Sequence, residues 1–405
     1  MQGFTTKTIH FRRSPRDPFG ASRFPIYETA AFDYETCAEL NAAAAGKSAK
    51  PIYTRISNPT IEDYELRIRA LTNALGAAAV GSGMAAIATA VFALVKAGDS
   101  VIAADKLFGH TLSFFQTTLA NLGVDVIFVD ILDLAMIKNA IKDNTRLIFF
   151  ETLSNPWLEV PDVALIAAIA EDRGIPLVAD TTLTPFYFFD AKKFGAHIEV
   201  LSSTKFISGG GASLGGLIID HGVFDWKKSP NLADYYAKVG QFAFIAKIKR
   251  EIYLNFGAVL SPHSAYLQVL GLETLALRAD RACENAAKMA EFLAAEPKIK
   301  SVNYPFLTSS PFYDLAKKQF GLGGSILTFE AENPEKFMDA LKIIRRATNL
   351  QDNKSLIVSP YFVIFPFKSA EEKAELRISP NLMRFSLGIE DFEDLRLDIL
   401  QALDS

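Results

Sequence analysis

Between residues 100 and 220 the chain repeats one arrangement: a short apolar run, then a stretch with apolar residues at helical spacing. The runs are Ser100–Ala104, Val124–Val129, Arg146–Glu151, Pro176–Asp180, Glu199–Ser203 and Leu217–Asp220. Their length and content read as strands, and segments such as Asp162–Arg173 read as the helices between them. Strands alternating with helices imply right-handed crossovers and a mainly parallel sheet, which is an α/β fold. Several runs end in or lead into a polar residue: Asp105, Glu151, Asp180 and Ser203. Open sheets of this kind bind ligands beyond the carboxyl ends of their strands. The chemistry is expected there.

The 405 residues suffice for two or three domains at ~150 residues each. Residues 1–60, rich in Pro, Thr, Arg and Tyr, show no sustained helical period and are expected to form an irregular arm that packs on a neighbouring subunit. Residues 61–255 hold the alternating pattern, opened by a helix over Ile61–Leu75. Residues 256–405 read as a smaller α+β domain. Ala265–Ala295 forms one or two long helices there, and strands at Ser325–Glu330 and Met383–Leu387 are each followed by a helix. Ala70–Val95 carries no charge and is long enough to span a bilayer, yet Asn73, Gly76, Gly81, Ser82 and Gly83 interrupt it. It is better read as a buried segment with a functional loop in its middle. No membrane partner is expected, and Met1-Gln2-Gly3-Phe4 lacks the start of a secretory leader.

Half of the residues are apolar and 22% are charged, which excludes a disordered chain. The net charge of −4 argues against a nucleic-acid binder. Cys37 and Cys283 cannot make a disulfide framework and suit the reducing cytoplasm. There is no Cys-x-x-Cys, the five histidines are scattered, and no Gly-x-Ser-x-Gly elbow is present, so neither a metal site nor a serine hydrolase is expected.

The segment Ser202-Ser203-Thr204-Lys205 follows a strand and precedes Gly209-Gly210-Gly211. Hydroxyls at Ser202 and Thr204 suit a phosphate, the glycines permit close approach, and a lysine in a partly apolar pocket can form a Schiff base. A surface lysine in a glycine-rich loop has the same pattern. Asp180 ends a strand one crossover earlier. Pyridoxal phosphate needs such a pair, a lysine for its aldehyde and a carboxylate for its ring nitrogen. A helix N-cap is the plainer role for an aspartate there. Gly81-Ser82-Gly83-Met84 precedes an apolar helix over Ala85–Val95, where backbone N–H groups form an anion cup. The same Gly81-x-Gly83 run, with Asp105 ending the next strand, also fits the start of a dinucleotide fingerprint, so a nicotinamide enzyme is a rival reading. Phe108 can stack on a flat ring or fill core, and Asn155 can reach a ring hydroxyl or make a turn. Tyr53 and Arg55 put a phenol and a phosphate-binding cation in the arm. Arg384, inside an apolar strand, demands an anion: an amino-acid carboxylate or an internal acid.

In order, these pieces resemble the cysteine/methionine-metabolism family of pyridoxal-phosphate enzymes. The likeness rests on Tyr53-Thr-Arg-x-x-Asn-Pro-Thr60, Ser82-Gly-Met84, Glu151-Thr-Leu-Ser-Asn-Pro156, Ala179-Asp-Thr-Thr182 and Ser202-Ser-Thr-Lys205, and it runs from Thr8 to Gly388. It implies the aspartate-aminotransferase fold, fold type I, and a cytoplasmic homotetramer built from tight dimers. It implies that Lys205 holds the cofactor, Asp180 faces the pyridine nitrogen and Phe108 stacks on the ring. Gly83, Met84, Ser202 and Thr204 would hold the phosphate, with Tyr53 and Arg55 reaching the site of a neighbouring subunit. Arg384 would bind the substrate carboxylate with Asn155 and Asn349.

Within the family, Asp352-x-Lys354-Ser-Leu356 is similar to the homocysteine-forming sulfhydrylases. The implied reaction is γ-replacement on an O-acyl-L-homoserine, O-acetyl-L-homoserine foremost, by a sulfur nucleophile, as in methionine biosynthesis. Cystathionine γ-synthase and methionine γ-lyase chemistry are the alternatives. Sulfide, a small thiol and a sulfur-carrier protein all remain open as donor. Four departures stand out: Phe108 replaces a tyrosine that aids proton transfer, His110 replaces the second of two glycines, Gly211 replaces a histidine, and Ser359-Pro360 stands where relatives have His-Pro. Tyr53 is then the phenol left to protonate a leaving group.

Overall fold

The computed structural model describes residues 3–14 and 16–405. A seven-stranded sheet forms its larger part, in the order β1-β7-β6-β5-β4-β2-β3. The strands are β1 (Gly76–Val80), β2 (Ser100–Ala104), β3 (Asp125–Val129), β4 (Thr145–Glu151), β5 (Leu177–Asp180), β6 (Ile198–Leu201) and β7 (Gly216–Asp220). β7 runs antiparallel to both neighbours, and every other pairing is parallel. The mainly parallel α/β sheet read from the sequence is thus present. Its strands are buried along their length, apart from β3 at the edge and Arg146 in β4. Helices cover the faces, as a parallel sheet requires.

β1 was not legible as a strand. Its sequence, Gly-Ala-Ala-Ala-Val, favours helix by local propensity. Long-range pairing with β7, from Gly76 opposite Asp220 to Val80 opposite Gly216, overrides that preference. The uncharged stretch 70–95 therefore resolves into a helix end, β1, a loop and the helix Gly83–Leu94. Among the described residues no helix is long and apolar enough to cross a membrane. The helix expected over Ile61–Leu75 spans Pro59–Thr72, because Asn58 caps the Thr60 N–H at 2.9 Å and Asn73 leaves it in a left-handed turn. The Glu65 carboxylate on this helix accepts the Ala79 N–H at 2.8 Å, fixing the helix to β1.

One crossover differs from expectation. Residues 181–197, between β5 and β6, contain turns and a single bridge from Phe189 to Phe320, but no helix. Pro185 and a run of Thr and aromatic residues supply the reason: β-branched and aromatic side chains favour extended backbone, and proline breaks a helix. The arm also holds two short helices, Phe4–Ile9 and Cys37–Ala44, inside its irregular path.

A second sheet, β10-β11-β12-β9-β8, lies in the C-terminal region. Its strands are β8 (Ile299–Asn303), β9 (Ile326–Ala331), β10 (Arg345–Arg346), β11 (Leu356–Val358) and β12 (Leu382–Ser386). Two helices precede it, Pro262–Glu273 and Leu275–Ala295, divided at Thr274. An apolar cluster joins Leu260, Ala265, Leu272 and Cys283 to Ile61, Leu201, Phe206 and Leu217, so the first residues after 256 pack on the large sheet.

Candidate active site

The carboxyl ends of β1, β2, β4, β5 and β6 surround one chamber, which β12 closes from the second sheet. Gly83, Met84, Phe108, Asn155, Asp180, Ser202, Thr204, Lys205 and Arg384 line it, all singled out from the sequence. Its volume is about 350 Å³, in the range of small-molecule sites.

Lys205 follows β6, and its Nζ donates to Asn349 Oδ1 at 2.8 Å. Asn349 is itself held by its Nδ2 donating to Asp352 Oδ2 at 3.1 Å. Burial, then the Arg384 charge, lowers the Lys205 amine from its ordinary 10.5 to about 8. The three glycines after it serve a purpose other than the expected one. A Cβ on Gly210, whose φ is +104°, would lie 2.5 Å from Asn353 Nδ2. Their close approach is to the segment carrying Asn349, which seats that segment on the lysine loop.

The anion cup is built where the helix Gly83–Leu94 begins. Ser82 caps it, accepting the Ala85 N–H at 3.1 Å. A Cβ on Gly83 would stand 2.6 Å from Ser202 Cβ, so the helix start and Ser202 nearly touch. Thr182 joins them by accepting the Ser202 N–H at 2.9 Å. Thr204 lies beside them, its hydroxyl accepting the Gly215 N–H at 3.0 Å.

Asp180 ends β5 and accepts the Thr182 N–H at 2.8 Å. Burial raises its carboxyl to about 6. In the parallel register its neighbour on β4 is Glu151. Glu151 accepts the Phe108 N–H at 2.6 Å and the Asn155 N–H at 3.2 Å. Burial and the Asp180 charge push Glu151 well above the usual carboxylate range. Sequence reasoning noticed Glu151 as a strand end but missed its place in the chamber, and it missed Thr182; both signals lay inside the quoted Glu151-Thr and Asp-Thr-Thr182 segments. Glu151 positions Phe108 and Asn155 from beneath.

Arg384 on β12 has 3% of its surface exposed, yet no carboxylate stands within ion-pair distance of it among the described residues. Its Nη1 donates to Asn155 Oδ1 at 3.2 Å and its Nη2 to the Thr348 and Asn349 carbonyls at 3.2 Å, while Nε has no partner. The internal acid left open from the sequence is therefore absent, and a buried guanidinium is left facing the chamber without an anion.

Tyr53 and Arg55 do not enter this chamber from their own chain. Tyr53 is 42% exposed, and Arg55 Nη1 donates to the Leu254 carbonyl at 2.8 Å. The dinucleotide reading also fails on topology. A dinucleotide fold sets its first two strands side by side. Here β7, β6, β5 and β4 separate β1 from β2, so Asp105 cannot serve a ligand seated on Gly81.

These residues fit a flat, phosphorylated pyridine: an anion cup at one end, a carboxylate, a buried amine, and a cation awaiting an acid. The fold and the chamber define a pyridoxal-phosphate enzyme of fold type I. The model of the Cys/Met metabolism PLP-dependent enzymes matches residues 5–404, and the chain belongs to that family. It is 36% identical to an L-methionine gamma-lyase of Pseudomonas putida over 408 residues, covering 100% of this chain and 98% of the relative. It is 35% identical to an O-acetyl-L-homoserine sulfhydrylase of Leptospira meyeri, covering 98% and 96%. Among solved structures, an O-acetylhomoserine sulfhydrylase of Wolinella succinogenes is 56% identical, with a TM-score of 0.79 over 85% of this chain and 96% of that one. A Campylobacter jejuni protein that carries N'-pyridoxyl-lysine-5'-monophosphate at its own position 205 superposes over the full length of both chains, with a TM-score of 0.93 and 32% identity.

Proposed function

We propose that this enzyme replaces the acetate of O-acetyl-L-homoserine with a sulfur nucleophile, giving homocysteine and acetate when that nucleophile is sulfide. The observation that carries the reading is Arg384, a buried cation with no internal carboxylate, lining the same chamber as the Lys205 amine and close enough to lower it. An α-amino acid supplies the missing acid. Pyridoxal phosphate bound here supplies an electron sink for bonds beside the substrate amine.

The chain's own residues do the rest. Arg384 and Asn155 hold the substrate carboxylate by forked hydrogen bonds, with Asn349 at the edge of the same site. Asp180 would face the ring nitrogen of the bound cofactor and favour its protonated form, and Phe108 would offer its ring face for stacking. The N–H groups of Gly83 and Met84 and the hydroxyls of Ser202 and Thr204 would hold the cofactor's phosphate. Lys205, whose amine is free at mildly alkaline pH, takes the proton from Cα and returns protons to the substrate chain. Tyr53 and Arg55 of a neighbouring subunit complete the phosphate site in a homotetramer, which gives the arm of residues 1–60 its purpose. Residues 61–255 form the cofactor domain and 256–405 the smaller domain. The unbonded Cys37 and Cys283 accord with a cytoplasmic enzyme.

The test is homocysteine formation from O-acetylhomoserine and sulfide by the cofactor-loaded enzyme, with Lys205→Ala beside it. Wild-type turnover and a loss of at least ~10²-fold in the variant are expected. Release of methanethiol and 2-oxobutanoate from methionine, with no homocysteine from the ester, would replace this reading with a γ-lyase. Sulfide that fails where a protein-bound sulfur succeeds would assign the donor to a sulfur-carrier protein.

A further inference from the structure

Of the titratable side chains lining the chamber, Glu151, Asp180, Lys205 and Arg384 have roles above, and His110 has none. Its imidazole is exposed and stands edge-on to Phe108, ring centroids 5.4 Å apart at 87°. No described side chain or backbone group hydrogen-bonds to it. Gly109 fixes the approach: a Cβ there would lie 3.0 Å from the Ile364 carbonyl oxygen, so the turn is pressed against the 360–365 segment and His110 is carried onto the chamber wall. We propose that His110 is the base that takes the proton from the incoming sulfur nucleophile. This rests on the γ-replacement reading.

Of the protons that move in this reaction, one lacks a carrier. Acetate is the anion of a carboxylic acid, a class with ordinary pKa values near ~4, so it departs as an anion without help. An S–H group attacks poorly and its anion well; a thiol, with an ordinary pKa of ~8.5, is mostly protonated near neutrality, and hydrogen sulfide, though more acidic than a thiol, still arrives in part as the neutral molecule. The base is needed on the sulfur side. Glu151, pushed above the usual carboxylate range by burial and the Asp180 charge, has both oxygens occupied by the Phe108 and Asn155 N–H groups. Asp180 serves the ring nitrogen, Lys205 the carbon protons, and Arg384 the carboxylate. Imidazole is the side-chain type suited to exchanging protons near neutral pH. In the step, the S–H bond breaks with its proton passing to the imidazole, the sulfur's electron pair forms the S–Cγ bond, and the Cβ=Cγ π bond left by the departure of acetate breaks, its pair moving to Cβ, where Lys205 delivers a proton. The imidazolium then returns the proton to water across its exposed edge.

The test compares wild type, His110→Ala and His110→Asn. Cofactor absorbance and the spectral response to O-acetylhomoserine alone are expected to be unchanged. Homocysteine formation should fall on the order of 10²-fold, with the trapped substrate diverted to elimination as 2-oxobutanoate. Added imidazole should restore part of the replacement rate in His110→Ala. Apart from turnover, methionine, whose sulfur would sit against the imidazole, should slow carbethoxylation of His110 by diethyl pyrocarbonate, read by peptide mass. Both variants retaining the wild-type replacement rate, or carbethoxylation blind to methionine, would overturn the proposal. A wild-type enzyme that forms no homocysteine removes the reaction itself, a result distinct from normal turnover in the variants.

Discussion

Lys205 and Asp180 are set apart by what burial does to each. Burial disfavours the charged form, so it lowers the amine to about 8 and raises the carboxyl to about 6. Between those values Asp180 is already ionised while Lys205 is still mostly ammonium. Only the neutral amine can attack an aldehyde. Raising the pH removes the ammonium proton, so the cofactor-loading rate of the stripped protein is expected to climb about tenfold per pH unit below about 8 and then level off. An unperturbed lysine would carry that climb on toward 10.5. The measurement is borohydride-trapped cofactor on Lys205 against time, at a series of pH values. A rate still rising steeply well above pH 8 would mean that the amine is not held as the structure holds it. Arg384 contributes to this shift, so its side chain both awaits the substrate's acid and tunes the amine.

Elements bring these residues together, and only some of that was legible in the sequence. The strands from Ser100 to Asp220 announced themselves as apolar runs, and their polar ends named the chamber's floor, because a parallel sheet gathers its carboxyl ends on one side. β1 was silent, since an alanine run becomes a strand only through its pairing with a strand far along the chain. The contact between Asn349 and Lys205 was equally hidden, being a meeting of distant segments that the Gly209–Gly211 turn makes close. Glu151 was visible as a strand end, but its partnership with Asp180 is a matter of register, which no local pattern encodes. Gly83 tests the element-level geometry directly. A methyl there would meet Ser202 Cβ at 2.6 Å and the Ser202 Cα at 3.0 Å, so helix and strand end would have to part. Gly83→Ala is expected to keep the fold, since its backbone is ordinary helix, but to lose cofactor affinity at least ~10-fold as the phosphate donors separate. Equilibrium dialysis against pyridoxal phosphate, beside far-ultraviolet circular dichroism, separates that outcome from unfolding.

At the scale of the whole molecule, the arm is the part whose purpose a single chain leaves open. Arg55 rests on a backbone carbonyl at the surface, and Tyr53 is partly exposed with the Arg55 guanidinium 5.7 Å from its ring. An exposed phenol and cation are poor candidates for stabilising their own chain, because surface charges and rings contribute little there. Phe19 at 96% exposed and Phe256 at 63% are further apolar surface that an assembly would cover. A symmetric dimer in which each arm served the other's chamber would give Tyr53 and Arg55 a partner. It also makes a prediction that no monomeric enzyme satisfies. Lys205→Ala and Arg55→Ala should each be poorly active alone. In a mixed dimer, one chamber receives its lysine from the Arg55→Ala chain and its arginine from the Lys205→Ala chain, so it is wild type in every residue, while the other carries both defects. Co-refolding equal amounts should therefore restore about a quarter of wild-type activity, since half of the randomly formed dimers are mixed and each has one intact chamber. Activity no greater than the mean of the two variants would confine each chamber to one chain and leave Tyr53 and Arg55 without a part in it.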